Sequence, residues 1–281
     1  MSDSFRYMRA SDWAGAIGET WAEEWVRTDR TFAPVDAALV AAIAALLKGV
    51  AAPRILDVGC GAGQTSLSLA GALPGAHVTG IDLSPALVAA AQARAGRSPR
   101  CRFVTADASV WVDERGFDLI ASRHGVMFFD DPVAALAHIR TRATPDAPLL
   151  FSCFRAPALN AWASGLAKLI GGPAPDPDAP GPFAFADEAR VRRILSEAGF
   201  ADIAAAPQDL DLDIAAGGGL ERAVAAALSI GPTTRMLEGQ SEAVRAAAVA
   251  DIRKALGAHV RGASVPLGAA IWIVAATNPA R

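Results

Sequence analysis

Nine consecutive residues carry the clearest chemical signal in the chain: Ile55-Leu56-Asp57-Val58-Gly59-Cys60-Gly61-Ala62-Gly63. An apolar run, an acid and alternating glycines predict a buried strand that turns sharply into a helix. The first N–H groups of such a helix point at whatever lies over the turn, and the glycines let a ligand approach the backbone. The same glycines would also suit a tightly packed turn without a ligand, so residues farther along the chain must decide.

A second acid, Asp82, ends the next apolar run, Val78-Thr79-Gly80-Ile81. It follows the glycines by about 20 residues, where nucleotide-binding α/β folds place a carboxylate that accepts hydrogen bonds from a ribose. Asp57 and Asp82 together favour a ligand site over a turn that is merely tight. The sequence therefore predicts a ligand that contains adenosine.

The spacing of the glycines separates two classes of cofactor. The dinucleotide pattern is G-x-G-x-x-G, and Gln64 stands where its third glycine would fall. Asp57 would repel a pyrophosphate and favour a ligand group that carries positive charge. The segment resembles the first motif of the class I S-adenosylmethionine-dependent methyltransferases, D-x-G-x-G-x-G. An NAD-dependent oxidoreductase remains as a weaker alternative.

The resemblance continues down the chain and implies S-adenosyl-L-methionine as the cofactor. Asp57 would lie near the methionine end of that molecule, which carries an ammonium and a sulfonium. In the family an acid after the third strand accepts a hydrogen bond from the adenine amino group, and Asp107 stands there, where it would also suit a helix cap. The other cofactor-binding residues that the resemblance implies are Trp21, Gly59, Cys60, Gly61, Gly63, Leu83, Ala108, Ser122 and Arg123.

Strands that alternate with helical stretches predict an α/β fold with a mostly parallel sheet and helices on both faces. The resemblance implies the Rossmann-like class I methyltransferase fold, a seven-stranded sheet whose last strand is antiparallel. The predicted strands are Arg54–Val58, His77–Asp82, Arg102–Thr105, Phe117–Ser122, Leu149–Phe154, Ile203–Ile214 and Ala269–Ala276. The predicted helices are Ser84–Ala95, Asp131–Arg142, Asp187–Ala198, Leu220–Ile230 and Ser241–Leu256.

Three segments lie outside this minimal sheet, and we expect them to cover the carboxyl ends of the strands, where ligands bind in open α/β sheets. One methyltransferase domain is predicted over residues 1–281. Its parts are an N-terminal helical arm or lid at 1–50, a cofactor-binding core at 51–154, and cap insertions over the substrate site at 155–186 and 215–266.

Aromatic residues mark two of these segments. In the arm, Trp21 and Trp25 are spaced to share one helical face. In the first insertion, Asn160–Ile170 has the pattern of an amphipathic helix, and the proline-rich run that follows cannot form regular structure. Phe183 and Phe185, just after that run, are suited to dock over a pocket.

Composition excludes several classes of function. The net charge is −3 and no basic cluster stands out, which argues against nucleic acid as the main substrate. Hydrophobic residues make up 52% of the chain, but no apolar stretch is long enough for a membrane span. Three cysteines without a metal-ligand spacing indicate buried thiols in a reducing compartment, so we expect no metal and a cytoplasmic location. Monomer and homodimer both stay open.

The residues after the fourth strand supply the candidate for acid–base chemistry. His124 is the best candidate for a general base, although we expect a pocket-lining role before a catalytic one. Arg123 could pair with Asp57, with the cofactor carboxylate or with an acidic substrate.

Taken together, these features predict in-line methyl transfer to a small, largely apolar acceptor that is aromatic, quinone-like or lipid-like. The resemblance is strongest to the group of ubiquinone/menaquinone-type enzymes. A protein that binds S-adenosylmethionine or S-adenosylhomocysteine without catalysis is the alternative, and the acceptor atom (O, C, N or S) stays open.

Overall fold

The computed structural model describes residues 10–165, 176, 179–229, 237 and 239–280. The strands are β1 (Arg54–Val58), β2 (His77–Asp82), β3 (Cys101–Thr105), β4 (Leu119–Arg123), β5 (Pro148–Phe154), β6 (Ala201–Asp213) and β7 (Pro266–Thr277). They form one sheet in the order β3-β2-β1-β4-β5-β7-β6.

The pairing of the strands confirms the predicted fold class. The strands from β3 to β5 in this order are parallel neighbours, and β7 lies antiparallel between β5 and β6. Several boundaries of β3 to β7 differ from the prediction by one to three residues, and two of the larger differences have a clear cause. Phe117 makes only an isolated bridge with Ala143, so β4 begins at Leu119. β7 begins already at Pro266, because its first residues pair with the end of β6.

Helices cover both faces of the sheet. They are α1 (Ala10–Trp13), α2 (Ala16–Glu23), α3 (Trp25–Thr31), α4 (Ala33–Leu46), α5 (Gln64–Ala72), α6 (Pro85–Ala95), α7 (Pro132–Arg140), α8 (Glu188–Glu197), α9 (Gly219–Ser229) and α10 (Glu242–Gly257). Ser84, Asp131 and Asp187 accept backbone N–H bonds as N-caps of α6, α7 and α8. None of the described helices is both long and apolar enough to cross a membrane.

The main core lies between the sheet and these helices. The central strands β1, β4 and β5 bury almost every side chain, as expected for parallel strands covered on both faces. Helix α4 adds Val35, Leu39 and Ile43, all fully buried. Residues 33–46 of the arm are therefore part of the folded body.

The arm differs from the prediction at Glu24. Trp21 and Trp25 do not share one helix, because the chain turns at Glu24 and separates α2 from α3. Glu24 pairs there with Arg27, three residues farther on, and with Arg222 of α9. The second contact joins residues that are far apart in the chain, so no local pattern of the arm predicts it. Trp21 packs against Trp13 of α1, and Trp25 packs elsewhere.

The first insertion is less regular than its periodicity suggested. Pro157–Leu159 is a 3₁₀ turn and Ala161–Gly165 is a single turn of π-helix, so the predicted helix at Asn160–Ile170 does not begin as an α-helix. Asn160 is fully buried and accepts the backbone N–H of Ala270. Residues 166–175, which include the rest of that helix and the start of the proline-rich run, lie outside the described residues.

The second insertion, residues 215–266, leaves and re-enters the sheet at almost the same place. Asp213 accepts backbone N–H bonds from Ala215, Gly217 and Val265, at 3.1, 2.9 and 2.8 Å. Helices α9 and α10 pack around a small apolar core of their own that includes Val224. Asp213 thus holds the two ends of the insertion together.

Candidate functional site

The turn between β1 and α5 requires its glycines. Gly59, Gly61 and Gly63 all have positive φ, at +67°, +53° and +85°, where other residues are strained. A Cβ at Gly59 would lie 2.8 Å from Gly125 Cα, and one at Gly63 would lie 2.9 Å from the Phe103 ring. A Cβ at Gly61 would meet no atom within 4 Å. The backbone at Gly61 is therefore open to a ligand.

Asp82 ties this turn to the end of β2. Its Oδ2 accepts the Gly61 N–H at 2.8 Å and its Oδ1 accepts the Ser84 N–H at 2.9 Å. Burial raises the pKa of the carboxyl, and these N–H donors act against the increase. Each carboxylate oxygen has a second lone pair, so the group keeps capacity for ligand hydroxyls. Leu83, the next residue, is partly buried.

Asp57 has one oxygen without a partner among the described residues. Its Oδ2 accepts the Ser66 hydroxyl at 2.6 Å, whereas the buried Oδ1 accepts nothing. Burial raises the pKa of Asp57 to about 6, although Ser66 and the charge of Arg123 lower it. A ligand cation would supply the missing partner, so this observation fits a cofactor that ends in an ammonium.

The remaining residues of the predicted adenosine site are placed at the same edge. Asp107 is exposed, and its Oδ1 accepts the backbone N–H and the hydroxyl of Ser109. Residues 108–110 form a turn and not the helix that Asp107 was expected to cap. Ala108 is buried in the main core. Cys60 is buried too, and burial raises the pKa of its thiol well above the usual value.

Ser122 holds the turn from the other side. Its hydroxyl donates to the Val58 carbonyl at 2.7 Å and accepts the Gly125 N–H at 3.1 Å. The side chain is fully buried, so it supports the segment after β4 against the end of β1. Residues 123–125 therefore flank the glycine turn directly.

Two acids of the arm bind helices next to the glycine turn, and no pattern in the sequence indicates either contact. Asp29 pairs with Arg94 at 2.7 Å; Arg94 also donates to the Ala62 carbonyl at 2.6 Å and lies 4.0 Å over the Trp25 ring. Asp36 accepts the hydroxyls of two α5 residues, Thr65 and Ser68, both at 2.7 Å. We call the Asp29–Arg94–Trp25 contact the arm latch. Only folding of the arm brings such distant residues together.

His124 lies in an aromatic cluster made of Phe32, Phe154, Trp162 and Phe183. Its ring stacks on the Phe154 ring, with the two ring centroids 4.3 Å apart, and lies edge-on to the Phe32 ring, with a centroid distance of 5.8 Å. Phe154 in turn contacts Trp162 and Phe183, at 4.9 and 5.9 Å. Among the described residues neither ring nitrogen has a hydrogen-bond partner. Burial, and next the charge of Arg123, lowers the pKa of His124 to about 3.

Trp21 is connected to the carboxyl ends of the strands through the rings of two other residues. It lies 5.6 Å from Trp13, which lies 5.0 Å from Phe128, just beyond β4. The arm thus crosses the carboxyl ends of the strands, with Phe32 at one end and Trp13 at the other.

Comparisons with known proteins agree with this geometry. Residues 55–146 match a family model described as a methyltransferase domain. The chain is 32% identical over 107 residues to a malonyl-[acyl-carrier protein] O-methyltransferase of Paenibacillus sp. (strain JDR-2), covering 36% of this chain and 39% of that relative. It is 38% identical over 89 residues to a trans-aconitate 2-methyltransferase of Methylobacterium radiotolerans, covering 31% and 33%. These matches span little more than a third of the relatives' lengths.

Solved structures have a similar fold. The YcgJ protein from Bacillus subtilis superposes with a TM-score of 0.58 at 17% identity, covering 86% of this chain and 98% of that one. A phosphoethanolamine N-methyltransferase 2 of Haemonchus contortus, solved with S-adenosyl-L-methionine, gives 0.52 at 17% identity, covering 93% and 57%. At this identity the likeness concerns the fold. Residues 55–146 are thus similar to a methyltransferase domain in sequence, and the described chain is similar to these structures in fold, whereas the quinone-type subgroup stays a prediction.

Proposed function

We propose that this chain transfers a methyl group from S-adenosyl-L-methionine to a small acceptor with a largely apolar body. The observation that carries the proposal is the open backbone at Gly61 beside the buried, unpartnered Oδ1 of Asp57. Asp57 would hold the ammonium end, Asp82 the ribose and Asp107 the adenine amino group. Leu83 and Ala108 would border the adenosine, and Trp21 would close over it with the arm.

The sulfonium supplies the chemistry, because it presents an activated methyl group to a nucleophile. What the chain must add is position. Holding the two reacting atoms in line lowers a barrier by about 7–11 kcal/mol, whereas a general base contributes about 3–5 kcal/mol. The glycine turn and Ser122 fix the ends of β1 and β4 against each other, which supports a mechanism dominated by orientation. A histidine with a pKa of about 3 is a weak base, so His124 is better suited to contact the acceptor than to remove its proton.

The aromatic cluster supports an apolar acceptor body. It stands at the carboxyl ends of β4 and β5, next to the turn that would hold the cofactor. The relatives are named for malonyl-[acyl-carrier protein] and trans-aconitate, but each match covers about a third of this chain, which leaves the acceptor of this protein undetermined by name.

Paired glycine variants test the cofactor site. Gly61→Ala adds a methyl group to the open backbone and should weaken S-adenosylhomocysteine affinity at least tenfold in calorimetry. Gly49→Ala is the matched control, because Gly49 also has positive φ and an empty Cβ position but lies exposed before β1. Both variants place a side chain at positive φ, which costs about 1–2 kcal/mol. Equal affinities in the two variants would refute the assignment.

Turnover separates catalysis from binding alone. The protein, given S-adenosylmethionine labelled in the methyl group and a small-molecule extract of bacterial cells, should release S-adenosylhomocysteine and label a small molecule. Tight binding of S-adenosylhomocysteine without any labelled product would favour the non-catalytic alternative. Binding of NADH in preference to S-adenosylhomocysteine would favour the oxidoreductase.

A further inference from the structure

Two buried polar side chains beside the cofactor turn have hydrogen-bonding groups that no described residue uses. Both ring nitrogens of His124 are buried without a partner, and so is the hydroxyl of Ser152 in β5. A neutral imidazole offers one donor and one acceptor, and a hydroxyl offers a donor as well. Leaving such groups unsatisfied costs about 1–3 kcal/mol each, so their arrangement indicates a ligand.

The backbone places these groups on one side of β5. Ser152 and Phe154 alternate with Cys153 and therefore share a face of the strand. Phe154 stacks on the His124 ring, and the backbone N–H of His124 donates to the backbone carbonyl of Ser152 at 3.1 Å. His124 also has a φ of +61°, an unfavourable conformation for a residue with a side chain. Strain of this kind is concentrated at ligand sites.

Arg123 brings a positive charge close to His124. It lies opposite Ser152 in the parallel register, so both side chains point to the same face. Its guanidinium is 3.9 Å from Asp36 and 4.0 Å from Asp29, which is beyond hydrogen-bond distance. Asp29 and Asp36 have closer partners of their own, in Arg94 and in the α5 hydroxyls. Arg123 is the charged residue that acts on the His124 ring.

Apolar rings surround these polar groups. Phe32, Phe154, Trp162 and Phe183 pack together beside them, and Trp162 and Phe183 lie nearly parallel to each other, with an angle of 23° between their planes. Flat rings at such angles suit a flat, conjugated body. Hydrogen-bond donors and a positive charge at one end suit an anionic oxygen.

We propose that the acceptor is a carboxylic acid with a flat apolar body, bound through its carboxylate by His124 and Ser152 and methylated on a carboxylate oxygen. This inference rests on the proposed function and names its substrate class. The carboxylate oxygen forms the new C–O bond while the S–C bond of the sulfonium breaks, and the electron pair of that bond stays on the sulfur. The products are a methyl ester and a neutral thioether, and no proton has to leave.

The weak basicity of His124 agrees with this class of acceptor. A phenol, with a pKa of about 10, would need a base, and an imidazole with a pKa of about 3 cannot serve efficiently. A carboxylic acid, with a pKa of about 4, is already ionised at neutral pH. The neutral ring can then donate its N–H to the anion.

Binding of matched ring compounds tests the roles of the two residues. In the presence of S-adenosylhomocysteine, the protein should bind 2-naphthoate at least tenfold more tightly than 2-naphthol, measured by calorimetry. His124→Phe keeps the ring stack but removes both nitrogens, and Ser152→Ala removes the hydroxyl. Each variant should lose most of the preference for 2-naphthoate and keep its S-adenosylhomocysteine affinity. His77 is exposed and begins β2, at the amino ends of the parallel strands. His77→Phe should change neither the preference for 2-naphthoate nor the S-adenosylhomocysteine affinity.

The stability of the product in alkali tests the chemistry. Label transferred to small molecules of a cell extract should be released as volatile methanol by mild alkali, as expected for methyl esters and not for ethers, amines or methylated carbons. Alkali-stable label, or binding of 2-naphthol as tight as that of 2-naphthoate, would overturn the inference and leave the proposed function standing. Failure to bind S-adenosylhomocysteine would instead overturn the proposed function itself.

Discussion

Single residues at this site have two tasks, and Asp82 is the clearest case. Its two oxygens hold the Gly61 and Ser84 N–H groups, so the proposed ribose ligand is also the support of the turn. The sequence indicated the first task through its spacing. The second depends on how the turn folds back onto β2, which spacing alone does not describe.

Asp82→Ala should therefore affect both binding and stability. We expect S-adenosylhomocysteine affinity to fall tenfold or more, which is about 1.4 kcal/mol, because the hydroxyls of the ribose lose their acceptor. The free energy of unfolding should fall by about 1–3 kcal/mol, since two N–H groups lose theirs. Calorimetry and urea titration measure the two effects, with the exposed Asp251→Ala as the control. An unchanged affinity would refute the ribose assignment.

At the scale of elements, local patterns predicted more than distant contacts did. The glycine turn, the beginnings of helices α6 and α8, and the alternation of strands with helices follow from residues close together in the chain, whereas the place of β7 in the sheet followed from the resemblance. The arm latch and the stack of His124 on Phe154 do not, because each joins separate elements that meet only in the folded chain. The break at Glu24 was missed for the same reason.

The arm latch should control how fast the cofactor leaves. Asp29 and Arg94 are both largely buried, and Arg94 keeps its bond to the Ala62 carbonyl when the acid is removed. We expect Asp29→Ala to raise the dissociation rate of S-adenosylhomocysteine several-fold, measured by stopped-flow tryptophan fluorescence, while the protein stays folded.

Glu221→Ala supplies the matched control for the latch. It breaks an ion pair with Arg253 whose glutamate is 71% exposed and lies in the second insertion. Exposed pairs of this kind contribute little, so neither the dissociation rate nor the stability should change much. Equal dissociation rates in the Asp29 and Glu221 variants would contradict the role of the arm as a lid.

For the whole molecule, two buried groups oppose each other in the dependence of stability on pH. The pKa of Asp57 is raised to about 6 from 3.8, so raising the pH through this window charges a buried carboxyl and removes stability. The pKa of His124 is lowered from 6.5 to about 3, so lowering the pH through that window protonates the unfolded chain alone and also removes stability. Between about pH 4 and 6 the two effects have opposite signs.

Single variants should separate these contributions. On going from about pH 7.5 to pH 5, Asp57→Asn should lose more stability than the unsubstituted protein, and His124→Phe should lose less. At about pH 7.5 Asp57→Asn should be more stable than the unsubstituted protein, because its buried side chain carries no charge. It should nevertheless bind S-adenosylhomocysteine more weakly than the unsubstituted protein does. Urea titrations without ligand at both values test this. Parallel changes in all three proteins would contradict it.

The two ends of the second insertion are held together by Asp213, and this has a consequence for how the chain can evolve. Where a segment begins and ends at neighbouring residues, as at Asp213 and Val265, its replacement disturbs little of what lies beneath. Recombination can exchange α9 and α10 for another pair of helices while the glycine turn stays as it is. Such an exchange leaves the residues of the aromatic cluster in place as well, and it touches the arm where Arg222 pairs with Glu24.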